Sequence, residues 1–477
     1  MKKSPLVSLL VLIVFFTNGQ SRSEQLQQLF DTLYTRHQFN GCVLVADSGK
    51  PIFQGAYGYA DLDRKILLNL ETRFEVASLA KQFTAMAIMQ LQEQGKLKYS
   101  DSIRHYLPGL PYYGVTIRDL LHHTSGIGDF LGWTANQIDT SKINTNEDII
   151  KLLPANIPVA SFPPGTAFAY SNSNYMLLAA IVAKVSGKSF RNYMQENIFQ
   201  KIGMLNTSVY SRRTAKQPLS NYALGYEWDA GDNRFAAPES MVANRYVNYM
   251  DGVYGAYGIS STVTDLLKWD QALYTEQLVS SSTMKEAFTP QLLKDSSYAG
   301  FAESMPYGFG WILTTDTSEN TFVWHGGGIA GYLSLIARYT KRHLTIVVLQ
   351  NIMNCVSPNA LMVPVSQILD REKSFDLPEV APLKKSIVVT AAQLQPFVGT
   401  YQVKDDPSRK MVISAHQNRL YARYMDQVTV NIYPSSPDTF FYTLIDATIK
   451  FTKENGISYN ELTLFQNGHE VMMHRTQ

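Results

Sequence analysis

Three short stretches carry residue types suited to acyl transfer. Ser78-Leu79-Ala80-Lys81 opens an apolar pattern of helical period that runs to Gly95, a helix stop. Residues three apart on a helix share a face, which sets the serine hydroxyl beside the lysine amine. A serine becomes a nucleophile only next to a base, and a lysine supplies one when burial or a second cation lowers its pKa from about 10.4. Tyr170-Ser171-Asn172 follows Pro163-Pro164-Gly165 and precedes an apolar run from Tyr175 to Val185, closed by Gly187. A loop entering a helix projects such a Tyr and Asn into a cleft, and the phenol oxygen acts as a base where a nearby cation depresses its pKa from about 10. His325-Gly326-Gly327-Gly328 ends one expected strand just before the next. Glycines there let a ligand approach the backbone, so a peptide N–H becomes an oxyanion donor.

Each stretch alone is weak. Ser282 to Lys285 repeats the first pattern, and Tyr246-Val247-Asn248 repeats the second. Other signals fail on context. Gly326 to Gly331 fits G-x-G-x-x-G but precedes a strand, which excludes a dinucleotide loop. His469 and His474 imitate a zinc-protease pair with a spacing of five rather than four, in a strand-rich tail. His122-His123 are adjacent and cannot share a helix face as ligands, so they read as structural residues near the cleft. The tyrosines between 222 and 257 fit either a substrate cleft or loop packing.

The elements that must position these groups follow from periodicity. Glu24 to His37 reads as a helix with Leu26, Leu29, Phe30, Leu33 and Tyr34 on one face. Cys42 to Ala46 and Ile52 to Tyr57 read as a hairpin around Asp47-Ser48-Gly49-Lys50. Residues 78 to 290 are mainly helical, and strands follow at Thr321 to His325, Tyr332 to Tyr339 and Leu344 to Gln350, then a helix between Asn359 and Asp370. Strands at both ends of a helical block predict one sheet completed by distant parts of the chain. Asp370 to Lys385 is charged, holds Pro378 and Pro382 and lacks periodicity, as a linker does. Beyond it, Met411 to Ser414, Arg419 to Tyr424, Thr439 to Leu444 and Thr448 to Thr452 alternate as strands of a small barrel or sandwich.

Taken in order, Ser-x-x-Lys, Tyr-x-Asn and His-Gly-Gly resemble the active-site motifs of the penicillin-recognising serine hydrolases, in the class C β-lactamase and D-alanyl-D-alanine carboxypeptidase branch. Leu120-Leu121-His122-His123-Thr124-Ser125-Gly126-Ile127, Pro164-Gly165-Thr166 and Gly258-Ile259-Ser260-Ser261-Thr262 resemble phrases of the same family. The likeness spans residues 25 to 370, and the C-terminal module is similar to lipocalin-like β domains. The resemblance implies an α/β fold, an antiparallel sheet flanked by helices with a mainly helical subdomain, and a small all-β barrel behind it. The expected divisions are a signal peptide over 1–19, the hydrolase domain over 20–370, a linker over 371–392 and the barrel over 393–477. It further implies Ser78 as the acylated nucleophile, Lys81 as adjacent base or electrostatic partner and Tyr170 as proton shuttle. Asn172 would bond Lys81 or the substrate amide, and His325, Gly327 and Gly328 would face the substrate, with the N–H groups of Ser78 and Gly328 as oxyanion hole. No metal or organic cofactor is implied. His325 departs from the β-lactamase pattern, which has Lys there; a largely neutral histidine holds a substrate carboxylate less well. That favours esterase- or peptidase-type chemistry, with a β-lactamase or D,D-carboxypeptidase as an alternative and a non-catalytic binding or sensor protein as another.

Composition fits an exported enzyme. The 477 residues carry 42 basic and 40 acidic side chains. Lys2 and Lys3 supply the entire excess, and the apolar run Leu6 to Phe16 followed by Thr17-Asn18-Gly19 has the three-part form of a secretory signal. Without that segment the chain is formally neutral, with no basic field for nucleic acid. A periplasmic or secreted location, a small-molecule or peptide substrate and no stable membrane span after signal cleavage are expected. Cys42 and Cys355 lie in or beside apolar runs and read as buried, unpaired thiols.

Overall fold

The computed structural model describes residues 13–15, 21–133, 137–314, 321–370, 374–416, 418–425, 429–443, 445–454 and 458–476. The leader expected over 1–19 lies outside them, apart from the strand Ile13–Phe15, which pairs antiparallel with Ser374–Asp376 inside the expected linker. Among the described residues no helix is long and apolar enough to cross a membrane.

The chain enters through α1 (Arg22–Thr35), capped by Ser21 and Glu24 in a reciprocal capping box. It then forms β1 (Gly41–Asp47) and β2 (Lys50–Tyr57). Their turn is tighter than the four residues expected, because Ser48 and Gly49 both take positive φ, at 52° and 75°. After the helical block come β3 (Val323–Ile329), β4 (Tyr332–Tyr339) and β5 (Leu344–Gln350). The five strands make one antiparallel sheet in the order β3-β4-β5-β1-β2, so distant parts of the chain do complete one sheet. Both faces of this sheet are covered. On β1, Val43 and Val45 pack under α1 with Leu26, Leu29 and Phe30, while Leu44 and Ala46 join the core that holds Phe83 and Trp269.

The centre of that second core is α2 (Ala80–Glu93), in which every residue from Ala80 to Leu91 is buried. A helix buried all round must satisfy its polar groups internally. Thr84 Oγ1 donates to Gly255 O at 2.8 Å, and Gln82 Oε1 accepts from Trp269 Nε1 at 2.9 Å. Alongside it lies α3 (Asn172–Ser186), ended by Gly187 at φ 70° as its position after the apolar run predicts. The expected final helix is a 3-10 turn, Pro358–Leu361, followed by α4 (Met362–Leu369).

The C-terminal strands close into an eight-stranded antiparallel barrel: β6 (Gly399–Val403), β7 (Asp406–His416), β8 (Arg419–Tyr424), β9 (Val430–Pro434), β10 (Thr439–Phe441), β11 (Ala447–Glu454), β12 (Ser458–Gln466) and β13 (His469–Arg475). Phe397, Phe440, Phe451 and Leu462 are among the residues filling it. The barrel rests on the hairpin Glu227–Asp229/Arg234–Ala236: Arg419 bridges Asp229 at 2.8 Å and Asp232 at 3.0 Å, and Trp228 packs on Tyr433 and Phe441. Cys42 and Cys355 are both free thiols, Cys42 buried and Cys355 only partly so. Cys42 belongs to β1, whereas Cys355 lies beyond the end of β5.

Candidate active site

Ser78 lies in a 3-10 turn, Ala77–Leu79, that leads directly into α2. Three contacts pin this turn. Val76 N donates to Ile259 O at 2.9 Å, Ser334 Oγ on β4 donates to Val76 O at 2.8 Å, and Ala77 N donates to Glu75 Oε1 at 3.2 Å. Ala77 is held at φ 49°, a left-handed conformation that costs energy for any residue with a Cβ. The pinning keeps it there and leaves the Ser78 side chain partly exposed above the helix start.

The expected sharing of a helix face brings Lys81 Nζ to 3.1 Å from Ser78 Oγ. The same nitrogen reaches Asn172 Oδ1 at 2.8 Å and Ala256 O at 3.0 Å. Lys81 is fully buried, and loss of hydration lowers its pKa to about 7 against the opposing pull of the Asp129 carboxylate. Asn172 is placed for the first of its expected roles, contact with Lys81. Its Nδ2 and backbone N–H both donate to Asp129 Oδ2, at 2.8 and 3.1 Å, which fixes the amide with its oxygen toward the lysine. Asp129 was not among the expected site residues; its signal is its place directly after Ser125-Gly126-Ile127-Gly128.

Tyr170 joins the group, with Lys81 Nζ 4.8 Å from its ring centroid. The condition for a phenolate base, a cation that depresses its pKa, is not met. Burial pushes the phenol well above its usual range, Asp129 adds to the rise, and contact with the Ser78 hydroxyl offsets only part of it. The loop before it is held by His123, whose C=O accepts from Ala169 N at 3.0 Å and whose Nδ1 accepts from Ser171 N at 3.2 Å. The His123 ring also packs, tilted, with its centroid 4.4 Å from that of Tyr170. His122 Nδ1 meets Tyr307 O at 2.8 Å, so the adjacent histidines are structural props of the cleft, as expected.

The three glycines do not end β3 but lie within it, up to Ile329. They differ in role. A Cβ on Gly327 would sit 2.2 Å from Ser334 Oγ and 2.6 Å from Val76 O, so its absence lets the strand approach the nucleophile turn rather than a ligand. Gly328 is exposed, and a Cβ there would meet only Leu333 Cδ2 at 3.7 Å. β3 is an edge strand, and Trp324 N donates outward to Ile312 O. By the period of two, the N–H of Gly328 points to the same outer side, where the edge is open.

His325 is buried, with Nε2 3.0 Å from Tyr307 Oη and Nδ1 2.6 Å from Gly326 O. That pattern assigns the proton to Nδ1, with the tyrosine donating to Nε2. Burial, with a contribution from Lys81, lowers its pKa to about 3. The histidine is therefore neutral far below pH 7, a stronger form of the neutrality expected from its residue type.

At the Ile329 end of β3, Tyr222, Tyr246 and Tyr257 line a cavity of about 70 Å³ together with Arg212 and Tyr332. Tyr249 and Tyr254, from the same sequence region, do not line it. In the second Ser-x-x-K, on the helix Ser281–Ala287, Ser282 and Lys285 are both exposed. His474 pairs with Glu461 at 3.2 Å on the barrel.

The arrangement can deprotonate a serine with a desolvated amine, offer outward backbone N–H groups to an oxyanion and return a proton from a neutral phenol. Its ancestry agrees with that chemistry. The Beta-lactamase family model matches residues 26–360. Penicillin-binding protein 4* of Bacillus subtilis (strain 168) is 34% identical over 458 residues, covering 96% of this chain and all of that relative. The octameric penicillin-binding protein homologue from Pyrococcus abyssi superposes with a TM-score of 0.63 at 21% identity, over 94% of this chain and 99% of that one. D-amino acid amidase from Ochrobactrum anthropi SV3 gives 0.57 at 22% identity, over 73% and 96%. The chain belongs to the β-lactamase family, the penicillin-recognising serine hydrolases.

Proposed function

We propose that the protein is an exported hydrolase that cleaves an ester or amide through an acyl-enzyme on Ser78. The observation that carries this reading is the 3.1 Å contact between Ser78 Oγ and an amine whose pKa burial has brought to about 7. Burial thus favours the uncharged amine, the form able to accept the serine proton. As that proton moves to Lys81 Nζ, Ser78 Oγ bonds to the substrate carbonyl carbon. The carbonyl oxygen takes the negative charge against the N–H groups of Ser78 and Gly328. Collapse breaks the bond to the leaving group, which takes a proton from the neutral Tyr170 hydroxyl; Tyr170 is reprotonated from Lys81. Water then repeats the sequence on the acyl-enzyme and frees Ser78. Tyr170 thus acts as a relay and not as a resident phenolate.

The apolar run and paired lysines before residue 20 support export to the periplasm or medium. A fluorophosphonate probe should label Ser78 and abolish ester turnover; absence of labelling, with Ser78→Ala indistinguishable from wild type, overturns the reading. A second reading, a D,D-carboxypeptidase or β-lactam-acylated enzyme, draws support from similarity to a penicillin-binding protein along nearly the whole chain. The neutral His325 counts against it, because a carboxylate-bearing substrate finds no fixed charge there. A chromogenic cephalosporin that neither turns over nor binds covalently removes it.

A further inference from the structure

We propose that the hairpin Gly300–Ala302/Met305–Pro306 forms the leaving-group subsite of this enzyme, and that Phe301 selects an uncharged aromatic leaving group. The inference rests on the proposed acyl transfer at Ser78.

Direction along β3 separates the two sides of the scissile bond. Its His325 end lies beside Tyr170, with ring centroids 6.2 Å apart, whereas its Ile329 end borders the tyrosine-lined cavity. A carbonyl held between Ser78 and Gly328 therefore has its acyl side toward the cavity and its departing group toward Tyr170. Two aromatic rings frame that place. Phe301 lies 5.7 Å from the Tyr170 ring and 5.2 Å from Phe168, yet half of its surface is exposed. Isolated exposed rings are ordinary on protein surfaces. This one stands against the residue that hands its proton to the leaving group, with Met305 and Tyr298 extending the apolar lip, each 37% exposed.

The hairpin is built to hold Phe301 in one place. A Cβ on Gly300 would lie 2.4 Å from Met305 O, so the two strands close tightly only with glycine there. Directly after Pro306, Tyr307 is anchored by its N–H to Ala299 O at 2.8 Å and by its hydroxyl to His325. One short segment thus ties up the neutral histidine below and presents an aromatic face above. Charge points the same way. Lys81 Nζ is enclosed by Ser78, Asn172 and Ala256, and the hairpin turn carries Glu303, whose carboxylate accepts from Tyr298 N. This negative charge, two residues from Phe301, disfavours an anionic leaving group. In the reaction Ser78 Oγ bonds to the acyl carbon, the bond from that carbon to the aryl oxygen breaks, and the phenol departs with the Tyr170 proton.

The test compares acetates that share one acyl group: phenyl acetate, ethyl acetate and 4-carboxyphenyl acetate. Each kcat/KM is divided by the rate of hydroxide-catalysed hydrolysis, which removes intrinsic reactivity. Phe301→Ala is expected to lower the phenyl-to-ethyl ratio on the order of tenfold, and Phe301→Leu by less. Wild type is expected to prefer phenyl over 4-carboxyphenyl acetate. A ring that only shields Tyr170 would lower all three rates together; an unchanged ratio in both variants, or equal handling of the charged ester, overturns the subsite while leaving acyl transfer standing. Wild type that hydrolyses none of the three and behaves as Ser78→Ala overturns both. Phe301→Leu keeps the test decisive if Phe301→Ala fails to fold.

Discussion

Asp129 Oδ2 accepts two hydrogen bonds from one residue, Asn172, through its backbone N–H at 3.1 Å and its Nδ2 at 2.8 Å. The pair orients the amide oxygen onto Lys81, and the carboxylate itself raises the lysine pKa against burial. Asp129→Asn removes the charge and retains an acceptor. The acid limb of kcat/KM should then move to lower pH, because Lys81 loses a proton more easily without the anion. An unmoved limb would mean that Asp129 acts only through geometry.

In the wild type, the same logic fixes the position and sign of that limb. The active form is the free amine, so kcat/KM should rise through about pH 7 and fall below it. Lys81→Ala should cost roughly 10²–10⁴-fold, the usual scale for a lost general base. The pH profile of phenyl acetate hydrolysis, with fluorophosphonate titration of active sites, checks both.

Much of this was legible in the sequence, and its limits are physical. Ser78, Lys81, Tyr170 and Asn172 announce themselves because fixed spacing on a helix or at its start fixes proximity. Asp129, Glu75 and Tyr307 come from separate loops and short strands, and no local pattern marks a residue whose partner is far along the chain. The protonation state of Tyr170 was open for the same reason: the neighbouring lysine is visible in the motif, but the burial that holds the phenol neutral belongs to the assembled fold. In the barrel, Arg419–Tyr424 alternates cleanly, whereas Gly399–Val403 and Ser458–Gln466 mix polar and apolar residues and become strands only by pairing with their neighbours.

Gly327 and Gly328 offer a direct contrast. An added methyl at 327 has no room between Ser334 Oγ and Val76 O, so Gly327→Ala must push β3 from the nucleophile turn. Overpacking of this kind costs about 1–3 kcal/mol, and kcat should fall at least tenfold as the oxyanion donors separate. Gly328→Ala should leave the melting temperature nearly unchanged. Equal melting temperatures for the two variants would contradict the close approach seen at Gly327.

His325 predicts an acid-side instability. Its folded pKa is near 3 and its unfolded value near 6.5, so between these limits the unfolded chain binds the extra proton. Stability from this group is full above about pH 6.5 and is lost as pH falls toward 3. His325→Gln, which keeps an acceptor for the Tyr307 hydroxyl, should flatten the decline in urea midpoint over that range. An equally steep decline in the variant would place the acid sensitivity elsewhere.

Glu75 works in the opposite direction. Its Oε1 accepts from Ala77 N at 3.2 Å and Gly258 N at 3.1 Å, tying the Ser78 turn to the loop that supplies Ala256 O to Lys81. Burial raises its pKa to about 8, so the folded chain holds a proton that the unfolded chain releases near 4.5. Stability from this group is therefore present below about pH 4.5 and is lost as pH climbs to 8. Glu75→Gln mimics the protonated acid and keeps the acceptor; it should stabilise the protein at pH 8 by on the order of 1–4 kcal/mol, with little change at pH 4.5. Glu75→Ala removes the acceptor altogether, releases Ala77 from φ 49° and should lower kcat at every pH. If the glutamine variant instead lost activity as severely as alanine, the ionised carboxylate would be the working form, and the assignment of a neutral clamp beneath the nucleophile would fall.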